Sequence, residues 1–375
     1  MDSKIRILLV GGGSGGHFYP LMSIAEKLRT HPLQPDLFYM GPDVYDTDAL
    51  TAAHISFIYC PAGKRRKYAS FLNFLDIFKT IWGTCIALIE LYKLYPDVIV
   101  SKGSYTSVPV ILAGAFLNIP IVVHESDTRL GSANKLASYF ARHVAVSFEE
   151  VLPFLEKKKN VTLTGIPIRE ELLLPAAENV REGLGISNSL PVILVLGGSQ
   201  GAERLNQLIL DSLDELLPAY NIIHQTGKKN FDVTVLSARE LIHETELLTH
   251  YRPVAFFDDA QILNDVYHAA TIIISRAGTG TIYEISLHGK PSILIPIPES
   301  ISHDQKTNAY AYAHSGAASV LEETNLSDSL LTAEIDRIMK NVDVYIPMAE
   351  AAQNFAPRNA SETLAQIIIS LAQTH

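Results

Sequence analysis

Ile5-Arg6-Ile7-Leu8-Leu9-Val10 runs straight into Gly11-Gly12-Gly13-Ser14-Gly15-Gly16-His17, after which Pro20 to Leu28 repeats its apolar residues at helical spacing. A continuous apolar run suits a strand covered on both faces, and a glycine cluster between such a strand and a helix brings backbone N–H groups to an anion. The unit returns: Val192-Ile193-Leu194-Val195-Leu196 leads into Gly197-Gly198-Ser199-Gln200-Gly201-Ala202, with helical spacing from Leu205 to Leu217. A second pair repeats at Val98-Ile99-Val100-Ser101-Lys102-Gly103 and Ile272-Ile273-Ile274-Ser275-Arg276-Ala277-Gly278. Each is followed by a helix-like stretch and an x-Pro strand, Ile119 to Val123 and Lys290 to Ile295. Two copies of one plan predict an α/β chain of two doubly wound, Rossmann-like parallel sheets.

Length agrees, because 375 residues make two domains at roughly 100 to 200 residues each. With 47% apolar and 19% charged residues the chain can fill two cores. A net charge of −10 argues against nucleic acid as a partner, since counterion release needs a broad basic surface. Two cysteines, Cys60 and Cys85, give neither a disulfide framework nor metal-ligand spacing, which fits a reducing cytoplasm. The start, Met1-Asp2-Ser3-Lys4, lacks a signal-peptide pattern, and the apolar stretch Ile81 to Tyr95 is interrupted by Glu90 and Lys93 before it could span a bilayer.

Gly11, Gly13 and Gly16 satisfy the G-x-G-x-x-G dinucleotide fingerprint. The acid that should follow the next strand to grip a ribose is missing, because Leu37 to Met40 ends in Gly41-Pro42 with Asp43 beyond the proline. Neither loop carries the Gly-Lys-Ser/Thr of a P-loop. What remains is two phosphate-bearing ligands, or one ligand that bridges the halves.

These segments resemble the MurG family of glycosyltransferases. Gly11 to Pro20 (GGGSGGHFYP), Gly103 to Pro109 (GSYTSVP), His124 to Lys135 (HESDTRLGSANK), Gly165 to Arg169 (GIPIR), Gly197 to Ala202 (GGSQGA), His224 to Lys228 (HQTGK), Ser275 to Glu284 (SRAGTGTIYE) and Gln305 to Ala309 (QKTNA) look like its motifs, in its order. Two residues depart from the pattern: Asp127 stands where some relatives have asparagine, and Asp304 where others often have an uncharged or basic residue. The resemblance implies the GT-B fold, two Rossmann-like domains facing across a cleft that holds the active site. It divides the chain into an acceptor-binding, membrane-associating domain over 1–164, a donor-binding domain over 165–345, and a C-terminal helical segment over 346–375 that returns to the first domain.

The implied reaction moves GlcNAc from UDP-N-acetylglucosamine to undecaprenyl-diphosphate-linked MurNAc-pentapeptide, with no cofactor and no metal. On the donor side the resemblance implies Glu284 as acceptor for both ribose hydroxyls, Phe257 as a backbone partner for the uracil edge, and Ser199, Gln200 and Gly201 at the pyrophosphate with Arg169 nearby. Gly278 and Thr281 open the helix that carries Glu284, and Gln305 and Asn308 hold sugar hydroxyls. The other reading of Phe257 is a strand-end core aromatic.

On the acceptor side the resemblance implies that Gly13, Ser14, Gly15, Gly16, Ser104, Tyr105 and Thr106 cradle the diphosphate. The attacking C4 hydroxyl must lose a proton, and the candidate bases are His17, Glu125 and Asp127. His17 is favoured, because a helix N-terminus disfavours the imidazolium and keeps the ring able to accept a proton. Glu125 follows a buried strand, at the sheet edge where open α/β folds bind ligands. Asn134 reads either as a sugar contact or as the N-cap of its own helix.

Lys64-Arg65-Arg66-Lys67 precedes Phe71, Phe74, Phe78 and Trp82, apolar residues at helical spacing. A basic cluster beside an aromatic amphipathic helix predicts an anionic membrane surface as partner, and with the resemblance a peripheral place on the cytoplasmic face of the bacterial plasma membrane. The competing reading is a solvated loop above a core-facing helix. Other functions that share the fold are a glycolipid synthase, a UDP-GlcNAc epimerase, and a non-catalytic nucleotide-binding module.

Overall fold

The computed structural model describes residues 4–64, 71–155, 160–186, 189–198, 201–299 and 303–374, with the side chains of 71–73 and 303 set aside. The chain forms two compact units, Met1–Arg169 with Pro357–His375, and Glu170–Ala356.

The first unit is built on β1 (Arg6–Val10), β2 (Asp36–Gly41), β3 (Ser56–Tyr59), β4 (Val98–Ser101), β5 (Ile121–Glu125), β6 (His143–Val146) and β7 (Val161–Leu163). All pairings are parallel, in the order β3-β2-β1-β4-β5-β6-β7. Alternate side chains face opposite layers. Ile7 and Leu9 pack with the helices Gly15–Thr30 and Ala360–Gln373, whereas Leu8 and Val10 pack with Ala87 and Leu91 of the helix Phe71–Leu94 and with Val110 and Ile111 of Val108–Phe116. That two-sided burial explains why these strands read as unbroken apolar runs.

The second unit repeats the plan with β8 (Val192–Leu196), β9 (Asn221–Gln225), β10 (Tyr251–Val254), β11 (Ile272–Ser275), β12 (Ser292–Leu294) and β13 (Ala318–Val320), in the order β10-β9-β8-β11-β12-β13, again parallel. In each sheet the winding reverses beside the first strand, between β1 and β4 and between β8 and β11. Ligands of open α/β sheets bind outside the carboxyl ends of the strands at such a reversal, which is where both glycine loops lie.

Two expectations are revised. The C-terminal helical segment expected over 346–375 is two helices, Val342–Phe355, which starts ahead of it, and Ala360–Gln373. Ala356, extended at φ −94°, precedes Pro357, and the residue before a proline is excluded from helical geometry. Phe355 stays with the second unit against Tyr283 and Tyr312, while Leu364, Ala365, Ile368 and Ile369 enter the first unit's core. The first unit also runs on past Gly165 to Arg169, because Gly165 O is held by His124 Nε2 at 2.9 Å and Ile166 and Ile168 are buried.

Candidate active site

In the first unit, the loop after β1 and the loop after β4 lie side by side because β1 and β4 are paired. Gly13, Ser14 and Gly16 are exposed and Gly15 half-buried, and the helix they open has no acid in its first turn. Ser104 and Tyr105 are half-buried, and Thr106 is buried with its Oγ1 lacking a hydrogen-bond partner. His17 Nδ1 and Asn134 Oδ1 are likewise buried and unpartnered. Buried polar atoms are nearly always satisfied, so these three, on the helix after β1, the turn after β4 and the helix Ser132–Phe140, are candidate contacts for a ligand's polar groups.

Glu125 is 4% exposed and fully engaged. Its Oε1 accepts from the N–H of Ser126 at 2.9 Å and of Asp127 at 3.1 Å; its Oε2 accepts from Gly131 N at 2.8 Å and Asn134 Nδ2 at 3.0 Å. This carboxylate shapes the loop from 126 to 134. Burial, then Asp127, pushes its pKa up, against the pull of those donors and of Lys102. The N-cap of the helix Ser132–Phe140 is Gly131, so Asn134 acts instead through its amide, donating also to His124 O at 3.2 Å. Gly103, at φ +93°, lets that amide in: a Cβ there would lie 2.7 Å from Asn134 Oδ1.

Between the loops sits Lys102, which the sequence reading passed over. It is 1% exposed, and its Nζ donates to Ser126 Oγ at 2.8 Å. Burial lowers its pKa while Glu125 and Asp127 raise it. A charge closing an all-apolar strand was the available signal. The lysine also acts on His17, whose pKa falls to about 4 through burial first and Lys102 second, with Asp127 and a hydrogen bond with the Lys102 backbone pulling the other way. At neutral pH the imidazole is therefore uncharged and able to take a proton. Asp127 is half-buried.

Arg169 belongs with the first unit, its guanidinium 5.4 Å over the ring of Tyr19. It is thus grouped with the loops of the first unit.

In the second unit the loop after β8 turns through Gly198 and Gly201, at φ +80° and +78°. Gly201 is pressed against the loop after β9, where an added Cβ would come within 2.9 Å of Thr226 O. Ser199 and Gln200 lie outside the described residues. His224, in the HQTGK stretch, is buried between Asn206 Oδ1 at 3.1 Å and Tyr251 OH at 2.9 Å, so it braces the core.

Gly278 is the N-cap of the helix Thr279–Leu287, which also has no acid in its first turn and presents half-buried Thr281. Glu284, half-buried one turn on, accepts from Tyr267 OH at 2.8 Å. Phe257 is 6% exposed and its N–H donates to Gln225 Oε1 at 3.3 Å. Gln305 Oε1 accepts from Ile297 N at 3.2 Å, and Asn308, 1% exposed, donates to Thr279 Oγ1 at 3.1 Å. Asn308 thus braces the first residue of the helix Thr279–Leu287, and Gln305 holds the segment after β12. Among the described residues, no group of three His, Cys, Asp or Glu is arranged to hold a metal ion.

The helix Phe71–Leu94 turns Phe74, Phe78 and Trp82 outward, 55%, 55% and 65% exposed, and the two phenylalanine rings meet edge-on at 4.9 Å. Lys64 is exposed; Arg65, Arg66 and Lys67 and the side chain of Phe71 fall outside the described set. Among the described residues no helix is long and apolar enough to cross a membrane.

The N-terminal domain of glycosyltransferase family 28 matches residues 7–146 and the C-terminal domain of that family matches 192–364. A UDP-N-acetylglucosamine--N-acetylmuramyl-(pentapeptide) pyrophosphoryl-undecaprenol N-acetylglucosamine transferase of Clostridium tetani is 36% identical over 346 residues, 92% of each chain. The corresponding transferase 2 of Bacillus cereus is 34% identical over 97% of this chain and 99% of its own. Among solved structures, Acinetobacter baumannii MurG superposes with TM-score 0.76 at 24% identity, over 98% of this chain and all of the other. A UDP-GlcNAc 2-epimerase of Neisseria meningitidis, bound to UDP-GlcNAc, superposes with TM-score 0.71 at 14% identity over the same shares. At those identities the superpositions speak to the fold alone.

Proposed function

The chain belongs to glycosyltransferase family 28, and from that premise we propose that it transfers N-acetylglucosamine from UDP-N-acetylglucosamine to the C4 hydroxyl of MurNAc in undecaprenyl-diphosphate-MurNAc-pentapeptide. The product is the lipid-linked disaccharide of peptidoglycan synthesis, made with inversion at the anomeric carbon. The observation that carries this reading is 34% to 36% identity, over more than nine-tenths of the chain, to transferases named for that reaction.

The first unit takes the acceptor. The N-terminal N–H groups of the helix Gly15–Thr30 and the hydroxyls of Ser104 and Thr106 receive its diphosphate, since a helix start favours negative charge. As the C4 oxygen bonds to the anomeric carbon, the bond from that carbon to the UDP oxygen breaks, and the hydroxyl proton passes to the neutral imidazole of His17. The arriving diphosphate raises the pKa of His17 from about 4, which strengthens the base when substrate is bound. Glu125, with four N–H donors already on it, orders the loop that carries Asp127 and Asn134.

The second unit takes the donor. Glu284 receives the ribose hydroxyls, and the helix N-terminus at Gly278 and Thr279, with the N–H groups around Gly198 and Gly201, stabilises the leaving diphosphate. The exposed aromatic face of Phe71–Leu94, next to the basic run from Lys64 to Lys67, rests on anionic lipid at the cytoplasmic face of the membrane, where the acceptor resides.

The test is UDP release from UDP-N-acetylglucosamine with and without the lipid acceptor, alongside identification of the product. Acceptor-dependent UDP release with a new disaccharide-lipid supports the reading. Acceptor-independent release with a 2-epimeric sugar would replace it with an epimerase.

A further inference from the structure

Glu284 does not stand by itself on its helix. Tyr267, on the helix Ala260–Ala269, is completely buried, and its hydroxyl donates to Glu284 Oε2 at 2.8 Å. The Tyr267 ring lies flat on the imidazole of His288, with centroids 4.6 Å apart and planes 16° apart. His288 lies with Nδ1 2.7 Å from Glu284 O and Nε2 3.0 Å from the buried Asn264 Oδ1. Asn264 is anchored in turn through its Nδ2 to Leu174 O at 3.2 Å. The tyrosine's position is therefore set by stacking and burial, and its O–H donates to the carboxylate.

We propose that Tyr267 is a positioning residue for sugar recognition: its hydroxyl holds the Glu284 carboxylate in the orientation that meets the ribose diol. The proposal rests on the reading of Glu284 as ribose ligand. A glutamate without such a contact turns about its terminal torsion and loses that freedom each time nucleotide binds. A carboxylate offers about four lone-pair positions, so a tyrosine using one leaves acceptor capacity for hydroxyl donors. A buried phenol needs a partner, so the same bond satisfies Tyr267 and sets the geometry of Glu284. Selectivity for ribonucleotide over deoxynucleotide is then partly a property of Tyr267, a residue that touches no substrate.

Calorimetry with UDP and with 2′,3′-dideoxyuridine diphosphate, on the full chain, tests this. Tyr267→Phe keeps the stacked ring and removes only the hydroxyl. It should weaken UDP by ~2- to 10-fold, the range for one newly mobile side chain, and leave the dideoxy compound within about 2-fold. The donor KM should rise with kcat maintained. In a Glu284→Ala background the same change should cost nothing further, since the two residues act as one unit. Equal loss on both nucleotides, or no loss on UDP, overturns the proposal; should Tyr267→Phe misfold, Tyr267→Met repeats the comparison. Glu284→Ala that binds UDP normally overturns instead the ribose reading beneath it.

Discussion

The ammonium of Lys102 donates to the hydroxyl of Ser126 across 2.8 Å, at a place where Lys102 is 1% exposed. A lysine sealed beneath these loops has its charge offset by Glu125 and Asp127, and it in turn favours the ionised form of Glu125. Lys102→Met is expected to lower stability by ~3 kcal/mol, the typical result of removing one partner of a buried ionic cluster. It should also raise the pKa of His17, since Lys102 is the main charge that holds it down. Denaturant titration and NMR titration of the imidazole measure the two effects.

Gly103→Ala places a Cβ 2.7 Å from Asn134 Oδ1 at a residue with φ +93°. The strain, ~1–3 kcal/mol for a non-glycine residue in such a region, falls on the loop proposed to hold the acceptor. Transfer should drop by ~10-fold or more while UDP affinity, assigned to the other unit in the proposed function, stays at the wild-type value by calorimetry.

His17→Ala is expected to reduce kcat by about 10²- to 10⁴-fold with little change in UDP binding. If Glu125→Ala cost more activity than His17→Ala while both proteins remained folded, the base would have to be reassigned.

Three histidines are held neutral: His17 at about 4, His224 at about 3 and His124 well below its ordinary value, each chiefly by burial. Unfolding lets them charge near pH 6.5, so below that the unfolded chain binds more protons and gains on the native state. Stability should hold above about pH 6.5 and fall as pH drops towards 4, with a slope from these groups approaching ~4 kcal/mol per pH unit. His224→Gln, which can still hydrogen-bond, should flatten the slope by about one proton in urea titrations at stepped pH.

Phe74, Phe78 and Trp82 offer an apolar face to solvent, 55%, 55% and 65% exposed. Replacing them with serine should reduce binding to anionic vesicles at low and high salt alike, because apolar insertion is not screened. Replacing Lys64, Arg65, Arg66 and Lys67 with glutamine should remove about 1 kcal/mol each, and the effect should shrink as salt rises. Co-sedimentation at two salt concentrations separates the contributions; wild-type protein that ignores such vesicles rules out the membrane reading.

Much of this was written locally. The runs Ile5–Val10 and Val192–Leu196, each followed by glycines and a helical period, specify strand, loop and helix within about two dozen residues, and their recurrence specifies two sheets. Outward exposure of Phe74, Phe78 and Trp82 was half legible: spacing gave one helical face, but only packing decides whether that face meets core or solvent. The helix break at Ala356 could have been read from Pro357, yet the apolar period on either side concealed it.

The sequence by itself determined the two α/β units, the glycine loops proposed to meet phosphate and the candidate residues on them, because periodicity, glycine and helix polarity act over a few residues. Tertiary structure alone decided that Glu125 orders a loop through four N–H groups, that burial and then Lys102 keep His17 neutral, and that Tyr267 stands behind Glu284. The last two of those relationships join residues on different elements: Lys102 after β4 meets His17 on the helix after β1 because β1 and β4 are paired, and Tyr267 and Glu284 come from separate helices. A side chain's protonation and its partners depend on burial and on charges within a few ångströms, quantities that exist only once distant segments have packed.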